Sequence, residues 1–218
     1  QTLEEGALKK IGASLGVFKA LCNKHYLVFG GGFDMQGNYP GFKGFAKRNL
    51  AYFGTAIWGI KKNPDLEFGF GVAYKNDLGY HSVYPVAIYN HTFSPKWGIE
   101  SLLPSNLFLR YNLTKSTNLL AGVEGKSSRY YLGEASLNNS TVDLIMKHAE
   151  IRYGFKVEQE IASFIGVAVE TGYRQYLSFN FNHPYAPKQD HLLEANPNGG
   201  IYASFSLFLK PPDKFLSK

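Results

Sequence analysis

Along residues 148–158, Ala149, Ile151, Tyr153, Phe155 and Val157 alternate with His148, Glu150, Arg152, Gly154, Lys156 and Glu158. A period of two over that length describes a strand with one apolar and one polar face, and about nine to eleven such residues suffice to cross a bilayer. Residues 66–75 repeat it, with Leu66, Phe68, Phe70, Val72 and Tyr74 on one face and Glu67, Gly69, Gly71, Ala73 and Lys75 on the other. The same reading predicts strands over 26–34, 49–60, 83–93, 97–103, 107–113, 118–126, 164–179 and 200–209, making ten in all. A total of eight or twelve remains compatible with the pattern.

The connections alternate in length. Those at 61–65, 94–96, 114–117 and 159–163 are short and polar, as periplasmic turns are in outer-membrane barrels. Those at 35–48, 76–82, 127–147 and 180–199 are longer and rich in Gly, Asn, Pro and aromatics, as outer loops are. Residues 103–106 (Leu-Pro-Ser-Asn) read as a tight outer hairpin or as a kink within one long strand, in which case 11–18 supplies a strand instead. The start is itself ambiguous, since Leu8, Ile11, Leu15 and Phe18 fit a helical face while Ile11, Ala13, Leu15 and Val17 fit a strand. The expected organisation is an N-terminal periplasmic segment or first strand over 1–23, a barrel over 24–210 and a tail over 211–218, with both termini periplasmic. Pro211-Pro212 ends hydrogen bonding after the closing strand.

Composition sharpens this picture. The chain has 218 residues, enough for one closed barrel, and its 17 Phe, 15 Tyr and 23 Gly favour strands. No run of 18 apolar residues occurs, which excludes helical spans but not strands. A mean hydropathy of -0.20 looks neutral because alternating strands average out. A soluble sandwich also alternates, but with shorter strands. Aromatics near predicted strand ends (Tyr84, Tyr89, Trp97, Tyr111, Tyr131, Tyr173, Tyr176) suit the girdles of a membrane barrel. The expected fold is therefore all-β, a single antiparallel transmembrane barrel. Gln1 reads as the N-terminus left after signal-peptide removal.

The net charge of +6 comes from scattered Lys and Arg without a nucleic-acid motif, so no nucleic-acid partner is expected. Lys9, Lys10, Lys61, Lys62, Lys96 and Lys115 fall at strand ends, where they meet lipid phosphates of phospholipid or lipopolysaccharide. Cys22, the only cysteine, has no ligand-spaced Cys or His beside it and reads as a bland thiol. The polar face of the strands collects Glu67, Glu100, Glu124, Glu150, Glu158 and Glu170 against Lys75, Arg110, Lys126, Arg152, Lys156 and Arg174. Charges inside a narrow barrel must pair, because an unpaired one carries several kcal/mol of desolvation. The expectation is a lumen filled by a charge network, a plug and not a pore.

Catalytic candidates are thin. His81-Ser82, His91-Thr92, and His183 or His191 with Asp190 belong to no recognised motif, and neighbours in a strand point apart. Gly30-Gly31-Gly32 sits in an apolar strand and opens no helix, so it is no phosphate loop. No cofactor, metal or enzymatic activity is expected.

The segments 84–90 (YPVAIYN), 97–104 (WGIESLLP), 109–113 (LRYNL), 149–154 (AEIRYG) and 169–173 (VETGY) resemble a family of Bacteroidota outer-membrane barrels of unknown function. The resemblance runs from about residue 49 to the closing strand. It implies fold and location and supplies no catalytic residues. A filled lumen, the lack of a catalytic motif, long outer loops and periplasmic ends with spare length point to an accessory or scaffold subunit of a larger complex with other outer-membrane proteins as partners. The resemblance implies barrel-assembly, type 9 secretion or nutrient-uptake machinery as its host. A small-solute pore and an enzyme acting on lipid or peptide are the alternatives. Residues 182–197 and the tail depart from that family and are candidate partner contacts.

Overall fold

The computed structural model describes residues 8–38, 49–137, 140–183 and 191–209. They form twelve strands and no α-helix. In chain order these are β1 (Lys9–Ala20), β2 (His25–Gly37), β3 (Leu50–Asn63), β4 (Leu66–Asp77), β5 (Tyr80–Thr92), β6 (Trp97–Leu103), β7 (Asn106–Asn112), β8 (Thr117–Leu137), β9 (Ser140–Ala162), β10 (Ile165–Asn182), β11 (His191–Glu194) and β12 (Gly200–Leu209). Consecutive strands from β1 to β11 pair as antiparallel neighbours, and β12 pairs with β10. A parallel contact between Gly37 of β2 and Tyr131 of β8 closes β2–β8 into a seven-stranded barrel, with β1 and β9–β12 as extensions of its wall.

All ten strands expected from alternation are present, and β1 and β11 join them. Residues 103–106 form the tight hairpin, and β1 is also a strand, so the two alternatives coexist. The short connections at 61–65, 94–96, 114–117 and 159–163 lie at one end. Three connections at the other end differ from expectation. Residues 76–82 hold only a two-residue turn, Leu78-Gly79, with φ of 54° and 90°. Two positive φ angles in succession match the twist of a tight hairpin, and Gly79 adopts its angle without the steric cost that Leu78 carries. Leu78 is compensated by burial against Tyr131 and Ile145.

Residues 127–147, expected as a loop, instead continue β8 and β9 as one long hairpin. The Ser and Gly content that suggested a loop is outweighed by cross-strand pairing, which runs from Leu137 and Ser140 downward with one shift near Tyr131 and Gly133. Residues 180–199 contain β11, which pairs with the upper end of β10. The tail 211–218 and part of the loop 182–197 lie outside the described residues.

The burial pattern is the reverse of a soluble sheet. In β9 and β10 the exposed positions are Tyr153, Phe155, Val157, Ile161, Val169, Thr171, Tyr173, Gln175 and Leu177 among the described side chains, mostly apolar, and the covered ones include Glu150, Arg152, Lys156, Glu170 and Arg174. Phe155 is 69% exposed while Glu150 is 2% exposed. Phe70, Val83, Ile201, Phe205 and Leu207 continue the outward apolar surface. The inner face is not uniform. On β3–β5 it carries an apolar cluster, built on Ile57, Ala73 and Val86 with Val28, Tyr84, Ile88 and Leu102 against them. Charge is densest on β8–β10, but ion pairs also sit on β4 (Lys75 with Asp77) and across β6–β7 (Arg110 with Glu100), so the inner face mixes charged and apolar patches. Close packing on the apolar side relies on Gly59, whose missing side chain leaves room for the Tyr26 ring.

Candidate functional site: the charged inner face

Residues i and i+2 of a strand share a face, and four ion pairs use that spacing. Arg152 meets Glu150 at 2.5 Å, Lys126 meets Glu124 at 2.9 Å, Lys75 meets Asp77 at 2.9 Å and Lys156 meets Glu158 at 3.8 Å. A fifth, Arg110 to Glu100 at 2.5 Å, crosses the β6–β7 hairpin diagonally, since Arg110 lies opposite Gly98 and Glu100 opposite Phe108. Arg110 also donates to Thr92 Oγ1 at 2.8 Å.

The two remaining glutamates take tyrosine donors. Tyr26 donates to Glu67, and Tyr202 donates to Glu170 at 2.5 Å. Arg152 lies 4.8 Å from the centre of the Tyr202 ring, so Glu150, Arg152, Tyr202 and Glu170 form one continuous cluster. Arg174 stacks over Tyr176 at 5.4 Å, and Lys156 lies 4.7 Å from the Phe108 ring centre. Cation-ring contacts of this kind gain strength where water is displaced.

The structure brings the twelve sequence-predicted residues into pairs and clusters, but not always with one another. Lys75 pairs with Asp77, which the sequence reading did not include, although the i, i+2 rule applied to Lys75 points to it. Tyr26 and Tyr202 were also missed. Their partners lie 41 and 32 residues away and depend on strand register, which has no local signal.

Other features separate from this face. Tyr74 hydrogen-bonds His81 Nδ1 at 2.7 Å and Asn76 donates to Tyr52 at 3.1 Å, on the outward side near the β4–β5 turn. His81 and Ser82 are successive strand residues and point to opposite faces. His91 sits between Tyr89 and Phe93 in an outward aromatic row. Asp190 lies outside the described residues. Among the described residues no group of three His, Cys, Asp or Glu is placed to hold a metal ion. Cys22 is exposed in the β1–β2 turn. Of the aromatics assigned to girdles, Tyr131 is buried with Leu78 and Tyr84 packs on the inner apolar cluster, whereas Trp97 and Tyr111 meet on the outward side at 4.8 Å.

Against known families, residues 8–198 match the model described as a domain of unknown function, DUF6268, and the chain belongs to that family. No curated protein and no solved structure matches the chain.

Proposed function

We propose that this chain is a non-catalytic transmembrane β-barrel of the outer membrane of a Gram-negative bacterium, serving as an accessory or scaffold subunit of a larger outer-membrane complex. The observation that carries the membrane reading is the inverted sheet: apolar side chains face outward while glutamates and arginines are paired inside. In water such a surface costs free energy at every exposed Phe, Val and Leu, whereas a bilayer removes that cost. Outward aromatics toward both ends support the same orientation, with Tyr52 and Tyr74 at one and Trp97 and Tyr111 at the other. Exposed Lys61, Lys62, Lys96 and Lys115 lie at the short-turn end, in reach of lipid phosphates.

The subunit reading is supported by the sheet edges. β1 and β12 each pair on one side only among the described residues. Unpaired backbone groups are not tolerated in hydrocarbon, so these edges require a strand, from each other or from a partner. Extraction of native membranes in mild detergent, followed by native mass measurement, is expected to recover the chain in an assembly with a second protein. Recovery as a monomer alone would overturn the subunit reading, and recovery in the aqueous fraction would overturn the membrane reading.

A further inference from the structure

The short β6–β7 hairpin leaves a break in the wall. β5 pairs with β6 only between Ala87 and Thr92, and β8 pairs with β7 only up to Glu124. Residues 80–86 of β5 and residues 125–130 of β8 therefore stand on either side of a gap whose floor is Pro104-Ser105, and no described ladder spans it. Side chains bridge its upper end. Lys75 donates to the Ser127 carbonyl at 3.4 Å, and Arg129 donates to the Asp77 carbonyl at 3.3 Å while lying 3.6 Å from the Tyr80 ring centre.

A cavity of about 710 Å³ occupies this gap, within the usual range for small-molecule sites. Successive residues Lys126 and Ser127 both line it, which places it at the free edge of β8. Leu177, at a β-bulge of β10, adds a further apolar side chain to its lining. One side is apolar, with Phe53, Tyr84, Val86 and Leu102. Of its three cations, Lys75 is paired with Asp77 and Lys126 with Glu124, whereas Arg129 makes no ion pair of its own among the described residues and rests on the Asp77 carbonyl and the Tyr80 ring. The two carboxylates in the lining, Asp77 and Glu150, are each paired, with Lys75 and Arg152.

We propose that this gap is a lateral binding site for an anionic single-chain amphiphile, such as a long-chain carboxylate, that enters from the surrounding apolar phase. Its chain lies along Phe53, Val86 and Leu102, and its head meets Arg129 with Lys126 beside it. The fork of a guanidinium suits a carboxylate, and the partly dry site strengthens the contact. The route of entry rests on the membrane reading above.

The test uses the full chain in phosphatidylcholine nanodiscs and a photoreactive long-chain carboxylate, with adducts mapped by mass spectrometry. Adducts are expected on Phe53, Tyr84 or Leu102 in addition to the outward Phe155 and Val169 that any lipid-embedded barrel would show. Arg129→Gln is expected to reduce the cavity adducts about tenfold, the loss of one charge-assisted hydrogen bond, and to leave the Phe155 adduct unchanged. Lys126→Gln, at a more exposed position, is expected to give a smaller loss and serves if Arg129→Gln does not fold. Labelling of Phe155 and Val169 without the cavity residues overturns the site and leaves the membrane reading intact. Absence of both overturns the membrane reading and the inference with it. Equal cavity labelling by the matching neutral alcohol, or displacement by inorganic phosphate alone, overturns the assignment of an anionic amphiphile.

Discussion

Glu150 and Arg152 show what pairing contributes at the scale of single residues. The Glu150 side chain is 1% exposed and its partner 18%, so removing either charge strands the other in a dry place. Glu150→Gln is expected to lower stability by about 3 kcal/mol, read from the urea unfolding midpoint in lipid vesicles. The double variant Glu150→Gln/Arg152→Gln is expected to lose less than the sum of the two single losses. Additive losses would show that the two charges do not act as a pair. At Glu124 and Lys126 the exposure is 22% and 39%, and the same change at Glu124 is expected to cost less than about 1 kcal/mol. The alternation in sequence was enough to put these residues on one face. It was not enough to choose partners: Glu67 and Glu170 bind tyrosines, and Asp77 takes Lys75, because the choice depends on register and on side-chain reach across strands.

At the scale of elements, the β4–β5 turn and the long β8–β9 hairpin depend on each other. Leu78 holds a left-handed backbone angle while packing under Tyr131 and Ile145, and Tyr131 in turn closes the barrel against Gly37 and donates to Asp143. Leu78→Ala keeps the strained turn and removes the packing. Its expected cost is about 2–3 kcal/mol, with faster proteolysis within residues 127–147 while cleavage at the β7–β8 turn is unchanged. Equal protection of wild type and variant would show that the hairpin holds itself up. Strand positions were legible where apolar and polar residues alternate cleanly, as in β4 and β9. The extension of β8 and β9 was not, since its Ser and Gly residues carry turn chemistry, and only pairing with the opposite strand overrides it. The short turn at Leu78-Gly79 was hidden for the same reason, because Asn76, Asp77 and Gly79 look like a longer loop.

For the whole molecule, the outward apolar surface governs where the barrel is stable. If the barrel spans a bilayer as proposed, Phe155→Arg places a charge against lipid and is expected to cost about 2–4 kcal/mol, measured as folding yield and unfolding midpoint in phosphatidylcholine vesicles. Unchanged folding into vesicles would show that Phe155 does not face lipid. By itself the sequence determined an all-β chain whose strands carry one apolar and one charged face, because a two-residue period is a local property of the backbone. Only the tertiary structure decided that the inner charge is densest on β8–β10, that Ile57, Ala73 and Val86 form an apolar cluster on β3–β5, and that the wall breaks above β6 and β7. Those features follow from strand length and register between distant segments, and the closure that sets them joins Gly37 to Tyr131 across most of the barrel.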